Sequence, residues 1–386
     1  MRIAGIDPEQ HFGGGEAQVM GLTLELLRAG HKAELLCDPA GELWRRASKA
    51  GVVCAPLRIR NSLDLVAGLR LRAQLNRDNY DIVHFHTSRA HAMAPYVYGR
   101  AGALVVTRRM DYVPNRLFAP WLYNRAVDGV GAISDGVARA LTSAGVSRQR
   151  ITVIPSGVDC NRFAPPGEDM RRQGRAMLGL LPHEIVVGTI GALVERKGHR
   201  VLTEAIALAQ RKMYPNEPTG AAGSLRCFIA GDGPLRRSLA QQIEKHNLSD
   251  RITLLGPLED AATLLNALDV FVMPSLKEGM GVAAIEAAAA GLPVIASAVG
   301  GLPEVVDDKR TGILVRPRDP TMLAEAIVRL ATDSRERSTM GSKGRQRAIQ
   351  NWSIELMAQR TLKLYHDCLG RLHPETPSPG LRKQAL

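Results

Sequence analysis

The 386-residue sequence is poor in cysteine, in aromatic residues and in long apolar runs. Its five cysteines have no CxxC spacing, so neither a disulfide framework nor a zinc site is encoded, and a reducing cytoplasm fits best. Aromatic residues make up only 4% of the chain, which disfavours a base-stacking surface. The first residues, MRIAGIDPEQ, contain no apolar signal segment, and no run of about 18 apolar residues follows. We therefore expect a cytoplasmic protein that is neither exported nor membrane-spanning.

The chain carries 50 basic against 38 acidic side chains, a formal net charge of +12. Such an excess favours an anionic partner, which is a nucleic acid, an acidic lipid or a phosphorylated small molecule. The net charge is +7 in residues 1–165 and +5 in the remainder, which indicates dispersed charge rather than a basic arm. Together with the few aromatic residues, this distribution argues against a nucleic-acid binding protein.

Short apolar, β-branched runs alternate with amphipathic segments, which predicts parallel sheets covered on both faces. The expected strands are Arg2 to Ile6, Ala33 to Cys37, Asp81 to His86, Ala103 to Thr107, Val130 to Ser134, Ile151 to Ile154, Ile185 to Gly191, Arg226 to Ala230, Ile252 to Leu255, Val270 to Met273, Val294 to Ser297 and Ile313 to Val315. We therefore predict an α/β protein with two doubly wound, Rossmann-like domains, residues 1–165 and 166–352.

Four further segments are expected to connect or follow these domains. The polar stretch DCNRFAPPGEDMRRQG (159–174) is interpreted as a hinge, and YPNEPTGAAGS (214–224) as a surface loop. A helix over 353–370 is expected to pack back on the N-terminal domain. The proline-containing tail, 371–386, has no apolar periodicity and is predicted to be disordered.

The stretch KEGMGVAAIE (277–286) places two glutamates eight positions apart, between an expected strand and a helix over 282–290. Ligands of open parallel sheets bind beyond the carboxyl ends of the strands. Gly279 and Gly281 let backbone N–H groups approach an anion, and the helix dipole adds about half a positive charge. Glu286 is then placed to accept hydrogen bonds from a ribose diol, and Glu278 from a sugar. Alternatively, Glu278 is a loop charge and Glu286 caps a neighbouring element.

A second loop of the same half carries cations. GTIGALVERKGH ends a strand at Gly191 and places Arg196 and Lys197 just before an amphipathic helix, so two cations converge on the same phosphates. The alternative is a solvated charge pair at the helix start. AGDGPLRRSL (230–239) adds another tight glycine turn at a strand end.

These motifs resemble the family-4 retaining glycosyltransferases, which have the two-Rossmann GT-B fold facing a central cleft. The similar segments, in the family's order and spacing, are GTIGALVERKGH, FIAGDGPLR, LLGPL, DVFVMPSLKEGMGVAAIEAAAAGLPVIAS and GGLPEVVDDKRTGILV in the second half, with GGGEAQVMGLTLELLRAGHKAELL and VIPSGVDCNRF in the first. The glutamate pair resembles the family's E-x7-E motif. The resemblance covers roughly residues 1–370.

The resemblance implies a role for each matching residue. Glu286 holds the nucleotide ribose, Arg196 and Lys197 hold the diphosphate, and Glu278 holds hydroxyls of the donor sugar. The turn at Gly13 and Gly14 approaches the diphosphate from the other domain. The remaining residues implied in donor binding are Gly191, Gly256, Leu258, Gly279, Met280 and Gly281.

The acceptor side departs from the family pattern. After the fourth expected strand the family commonly has a histidine that faces the reacting sugar, whereas this chain reads VVTRRMDYV, with Arg108 and Arg109. His86, at the end of DIVHFH, is the nearest histidine that can reach the cleft, and Arg109 is a second catalytic candidate. The alternatives are a satisfied strand-end histidine and arginines that meet an anionic acceptor.

The sequence contains no DxD triplet, so we expect no metal site and no cofactor besides the nucleotide sugar, which is a co-substrate. Protein cations then neutralise the leaving diphosphate. We expect front-face displacement with retention, in which a phosphate oxygen takes the acceptor proton.

The segment RIRNSLDLVAGLRLRAQLNR (58–77) has five arginines among its leucines. It is either an ordinary helix that packs a leucine stripe on the sheet or a helix that lies on anionic lipid.

We therefore expect a glycosyltransferase that takes a uridine diphosphate sugar, the family's frequent donor, and a lipid-linked, lipopolysaccharide-type or polysaccharide acceptor of the cell envelope. It is expected in the cytoplasm or peripherally on the inner face of the membrane. The rival hypotheses are a nucleotide-sugar epimerase of the same fold and a basic protein that binds nucleic acid or an anionic surface.

Overall fold

In the computed structural model, which describes residues 1–215 and 225–372, parallel strands form one seven-stranded and one six-stranded sheet. Both are built from strand-helix repeats, so the predicted pair of doubly wound α/β domains is confirmed.

The first sheet has the strand order β3-β2-β1-β4-β5-β6-β7. Its strands are β1 (Arg2–Asp7), β2 (Lys32–Cys37), β3 (Val53–Pro56), β4 (Ile82–Phe85), β5 (Ala103–Arg108), β6 (Gly129–Ala132) and β7 (Ile151–Val153). Its helices are α1 (Gly14–Arg28), α2 (Glu42–Lys49), α3 (Leu65–Asp78), α4 (Ser88–His91), α5 (Ala119–Arg125) and α6 (Asp135–Ser143), with 3₁₀ turns at Ala94–Val97 and Arg148–Arg150. The apolar side chains of α1 and α2 pack in different clusters from those of α3, α5 and α6, so helices cover both faces of the sheet.

The second sheet has the order β10-β9-β8-β11-β12-β13. Its strands are β8 (Ile185–Ile190), β9 (Leu225–Ala230), β10 (Ile252–Gly256), β11 (Val270–Met273), β12 (Val294–Ser297) and β13 (Gly312–Val315). Its helices are α7 (Glu168–Met177), α8 (His199–Met213), α9 (Arg236–Lys245), α10 (Ala261–Leu265), α11 (Val282–Ala289), α12 (Leu302–Val305), α13 (Pro320–Thr332) and α14 (Ser334–Trp352), with a 3₁₀ turn at Glu195–Lys197.

The last described helix, α15 (Ile354–Leu372), returns to the first domain. Its Tyr365 hydroxyl lies 2.7 Å from Nδ1 of His84 on β4, and Ile354 packs against Gly21 of α1. Backbone hydrogen bonds between Val158 and both Trp352 and Ile354 fix the crossing point. The C-terminal end of the described chain therefore packs against the N-terminal sheet.

Each of the twelve expected strands is present, with ends shifted by at most two residues. The short edge strand β3 was missed because its four residues are partly exposed and include a proline. Half of the expected hinge is helical, since α7 begins at Glu168. Arg371 and Leu372 belong to α15, while the rest of the expected tail and residues 216–224 lie outside the described residues.

Candidate active site

Four loops meet at the carboxyl edge of the second sheet, and each of them connects a strand to the helix that follows it. The loop with Arg196 and Lys197 is bound to the loop after β11, because the Arg196 carbonyl accepts a hydrogen bond from the Leu276 N–H at 2.7 Å. Gly198 makes this approach possible, since it has a φ of +68° and a Cβ there would lie 2.0 Å from the Pro274 oxygen. The sequence thus brings two distant segments into backbone contact.

Lys197 and Glu278 form an ion pair between these two loops. Nζ of Lys197 lies 2.6 Å from Oε2 of Glu278, and the Ser275 hydroxyl donates to the same oxygen at 3.1 Å. Both charged side chains are largely buried. Arg196 is exposed, and its side chain makes no hydrogen bond or ion pair with any residue of the described ranges. One cation is therefore held by the carboxylate and the other is available for an anion.

Helix α11 begins directly after this pair. Gly281 caps it with a φ of +86°, a conformation that side chains rarely adopt. Met280 is buried and anchors the loop in the core, while Gly279 lies against the other domain. The positive end of the α11 dipole thus lies beside Lys197 and Arg196.

Glu286 lies in the second turn of α11. Desolvation raises the pKa of its carboxyl to about 7, and nearby Asp260 adds to this rise while Arg162 opposes it. Arg162 itself is paired with Asp260 at 2.8 Å. Within the described part of the chain, the Glu286 carboxylate accepts no hydrogen bond. A partly buried carboxyl without a donor is suited to accept hydroxyl groups from a ligand.

Gly191, Gly256 and Leu258 lie on the neighbouring loops of this edge. Gly191 packs against the Lys197 stem, and the Gly256 carbonyl accepts the Gly231 N–H at 2.7 Å. Leu258 is partly buried and precedes Asp260, the residue paired with Arg162. These residues shape the edge, whereas the charged groups lie on the two loops described above.

The glycine turn of the first domain faces α11 across the cleft. Gly13 caps α1, and its N–H donates to Oε2 of Glu16 at 2.7 Å. A Cβ at Gly14 would lie 3.9 Å from Cβ of Val282, the first residue of α11. Two helix N-termini from different domains therefore meet at the same place.

Arg109 joins the two domains from the acceptor side. Its carbonyl oxygen approaches Gly279 so closely that a Cβ there would lie 2.4 Å away, and its side chain lies over Gly15. Burial lowers its pKa, against the influence of the Asp7 and Glu16 carboxylates. Its Nε is buried and has no hydrogen-bond partner among the described residues. Arg109 therefore lies at the cleft, and its Nε–H group is available to donate a hydrogen bond to a ligand.

Arg108 makes a different set of contacts from Arg109. Its side chain is buried, donates to the Tyr112 carbonyl at 3.0 Å and stacks over the Tyr112 ring at 4.6 Å. The two arginines of VVTRRMDYV therefore have different tasks, with Arg108 holding the loop and Arg109 facing the cleft.

His86 is buried at the end of β4 instead of lining the cleft openly. Its ring lies 4.0 Å from that of His84, and its Nδ1 has no hydrogen-bond partner in residues 1–215 and 225–372. Burial, together with His84 and Arg109, lowers the pKa of His86 well below the usual value. The imidazole is therefore uncharged near neutral pH.

A contact between the domains that sequence inspection missed involves Glu304. Its two carboxylate oxygens accept the N–H groups of Asp135 and Gly136, at 3.1 and 3.2 Å, at the start of α6. The Ser134 hydroxyl donates to the Gly279 carbonyl at 2.8 Å. Two sequence features could have indicated this contact, namely Ser134 before a helix and the acidic residue of GGLPE. Neither feature shows which residue of the other domain it binds. We call Glu304 and Ser134, with the groups they bind, the domain clamp.

Within 1–215 and 225–372, no three histidine, cysteine, aspartate or glutamate side chains cluster as a metal site would require. In the same ranges no helix is long and apolar enough to cross a membrane.

Two family profiles match the sequence. The profile described as Glycosyltransferase Family 4 matches residues 12–162, and that described as Glycosyl transferases group 1 matches residues 184–333. The chain belongs to these glycosyltransferases. Both of its domains therefore have the family assignment that the motifs suggested.

Several proteins named as glycosyltransferases are similar to part of this sequence. The D-inositol 3-phosphate glycosyltransferase of Corynebacterium kroppenstedtii is 31% identical over 57% of this chain and 49% of its own. A GDP-mannose-dependent monoacylated alpha-(1-6)-phosphatidylinositol monomannoside mannosyltransferase of Corynebacterium glutamicum is 32% identical over 61% of each chain. The chain thus matches less than two thirds of the length of either relative.

Solved glycosyltransferases share the fold over almost the whole chain. Anabaena HepE in complex with UDP and glucose has a TM-score of 0.83, at 22% identity, over 94% of this chain and 98% of its own. Sucrose-phosphate synthase of Thermosynechococcus elongatus has a TM-score of 0.79, at 23% identity, over 96% and 100%. The GT-B architecture is thereby confirmed.

Proposed function

We propose that this protein is a retaining glycosyltransferase that moves a sugar from a uridine diphosphate sugar to an envelope glycolipid, lipopolysaccharide or polysaccharide. The observation that carries the proposal is the convergence of the Lys197–Glu278 pair, the free Arg196 and the start of α11 on the glycine turn of the other domain. Cations, helix N-termini and hydroxyl acceptors are the groups that a nucleotide sugar needs.

The donor lies across α11 in this proposal. Glu286 accepts the ribose hydroxyls, and Arg196, Lys197 and the α11 N-terminus hold the diphosphate. Glu278 accepts hydroxyls of the sugar while Lys197 is shared between carboxylate and phosphate. HepE, which has a similar fold, was solved in complex with UDP and with UDP-glucose, and this supports a uridine donor. The mannosyltransferase relative, in contrast, is named as GDP-mannose-dependent.

The proposed reaction depends on the cations that surround the leaving diphosphate. The bond between the sugar C1 and the phosphate oxygen breaks, and its electron pair leaves with the diphosphate, whose growing charge Arg196, Lys197 and the helix amides stabilise. The acceptor hydroxyl forms the new bond on the same face, and its proton passes to a phosphate oxygen. We propose that these cations replace a metal ion and that no further cofactor takes part.

The acceptor is proposed to enter beside a polar cavity of the first domain. This cavity of about 530 Å³ is lined by His11, Arg58, Arg60 and Arg89, and by the carboxylates of Glu9 and Asp38. Both charge signs suit a phosphorylated glycan with free hydroxyl groups. The named relatives act on inositol phosphate and phosphatidylinositol mannoside, which supports an acceptor of this kind.

A ligand screen tests the proposal. Thermal unfolding is recorded with UDP, GDP, ADP and dTDP and with their sugars, since a ligand at 100 times its Kd stabilises by about 2.7 kcal/mol. The selected sugar is then incubated with envelope glycolipids, with and without EDTA, and product is measured. Transfer that survives EDTA supports the proposal. Free UDP with an altered sugar and no acceptor would instead identify an epimerase.

A further inference from the structure

Exposed apolar side chains are concentrated on one part of the first domain. Within residues 1–215 and 225–372, seventeen large apolar side chains are exposed, and eleven of them fall in 58–125. Soluble surfaces usually scatter such residues singly, so a concentration of them marks an interaction site.

Basic charge is concentrated in the same segment. Residues 58–125 contain eleven arginines and four aspartates, with no lysine or glutamate, which gives a net charge of +7 out of +12 for the whole chain. The positive excess of residues 1–165 is also +7, so it is located here rather than dispersed. The earlier expectation of evenly spread charge is therefore wrong for this domain.

Helix α3 shows how the two features combine. Its Leu71 and Leu75 are buried, as expected for a helix that packs on a sheet. Leu65 and Leu69 are exposed, however, one turn apart and followed by the exposed Arg72. Leu63, just before the helix, is 84% exposed. The ordinary-helix interpretation thus explains only the inner stripe of α3.

The neighbouring helices continue this surface. A Cβ at Gly68 of α3 would lie 2.6 Å from the Tyr96 ring in the 3₁₀ turn that follows α4. Nδ1 of His91 in α4 lies 3.1 Å from the Tyr123 hydroxyl of α5, so α5 is next in line. At the start of α5, Leu117 is 88% exposed and Phe118 and Trp121 are also exposed. These elements share one apolar cluster on the same face of the sheet.

We propose that this face, formed by α3, α4 and α5 with their flanking loops, docks on the surface of an anionic lipid membrane. Leucine and aromatic side chains enter the headgroup region, and the arginines around them pair with lipid phosphates. Charge complementarity selects this occupant, since a second copy of the same face would set exposed arginines such as Arg70 and Arg72 against one another.

The docking face leads into the cleft. Arg109 lies against Gly279, and Asp111 approaches Gly300, where a Cβ would lie 3.3 Å from its Oδ2. The chain then continues through Tyr112 to the exposed Leu117. A lipid-borne acceptor would thus reach the cleft from the membrane without crossing open water. This last link rests on the proposed function, whereas the docking face does not.

Vesicle flotation of the whole chain tests the proposal. Vesicles of phosphatidylcholine alone are compared with vesicles that contain phosphatidylglycerol as about one third of the lipid. We expect flotation only with the anionic vesicles, and its loss in high salt. Arg70→Gln with Arg72→Gln should weaken binding about fivefold for each arginine neutralised. Leu117→Ser with Phe118→Ser should also reduce flotation.

Matched pairs on the other domain serve as controls. Met177→Ser with Leu181→Ser and Arg335→Gln with Lys343→Gln alter exposed residues of the same types, and flotation should be unchanged. Absence of wild-type flotation, equal binding to neutral vesicles, or equal loss in the controls would overturn the proposal. So would a dimer that Leu117→Ser with Phe118→Ser dissociates. Nucleotide affinity should stay at the wild-type value in all these variants, so failure of docking is distinct from failure of the proposed function.

Discussion

Lys197 and Glu278 neutralise each other in a largely buried ion pair at the centre of the proposed donor site. Removing one partner leaves the other as an uncompensated charge, so Lys197→Ala and Glu278→Ala should each lower the free energy of unfolding by about 2 to 4 kcal/mol. The double variant should lose clearly less than the sum, as urea unfolding would measure. The exposed pair of Arg200 and Glu195, 3.8 Å apart, is the control and should show additive, small effects. Additivity at Lys197 and Glu278 would show that the pair is not formed.

Glu286 should make donor binding depend on pH. Its pKa is raised to about 7, so the carboxyl is largely protonated below that pH and ionised above it. Because the ionised form accepts ribose hydroxyls better, affinity for the nucleotide sugar should rise between about pH 6 and pH 8. Glu286→Gln should abolish this rise in calorimetry. Asp7→Asn is the control, since burial also raises the pKa of Asp7 to about 7, and a rise that only this variant removes would contradict the assignment.

The two loops that form the candidate site could be located from the sequence, because glycines and charges follow the strand ends in KEGMGVAAIE and GTIGALVERKGH, while the roles of their residues in donor binding remain predictions. Their partners could not be named. Lys197 and Glu278 are 81 positions apart, and no local pattern shows that one neutralises the other. Packing between strands, rather than neighbours in sequence, likewise determines that His86 is buried and that Arg108 and Arg109 make different contacts.

The loop that carries Arg196 and Lys197 lies directly against Pro274, and it can do so because residue 198 is a glycine. Gly198→Ala should push the two loops apart and weaken nucleotide binding about tenfold or more, since a contact of 2.0 Å cannot persist. Gly179→Ala is a matched control, because that glycine has a φ of +65° and open space around it. It should cost only about 1 to 2 kcal/mol of stability and leave affinity unchanged. Equal affinity losses would show that strain rather than loop contact is measured.

Apolar runs predicted the strands because a parallel sheet buries both faces and leaves continuous β-branched sequence, as in the fully buried β11. The partly exposed β3 lacks that signal. The start of α7 was missed because proline and glycine before Glu168 were interpreted as a hinge, whereas they also precede helices.

The domain clamp connects the two domains that form the candidate site. Glu304→Ala should leave the affinity for free nucleotide nearly unchanged, because the donor loops belong to the second domain. It should lower the rate of sugar transfer about tenfold or more, since Arg109 and the glycine turn are no longer held against α11. Single-turnover kinetics and small-angle scattering would show the slower step and a larger radius. Glu325→Ala, which removes an exposed pair with Lys212, should change neither. An unchanged rate in Glu304→Ala would remove the clamp from the account.

We propose that one nucleotide sugar lies across α11, with its ribose at Glu286 and its sugar at Glu278. Calorimetry of the nucleotide diphosphate and of the nucleotide sugar selected by the screen, with wild type, Glu286→Ala and Glu278→Ala, tests this most directly. Glu286→Ala should weaken both ligands, because two hydrogen bonds to a charged group are each worth about 1.5 to 3 kcal/mol. Glu278→Ala should weaken the nucleotide sugar and leave the bare diphosphate nearly unchanged. Full affinity of Glu286→Ala for the bare diphosphate, or equal losses of both ligands in Glu278→Ala, would contradict this placement of the donor.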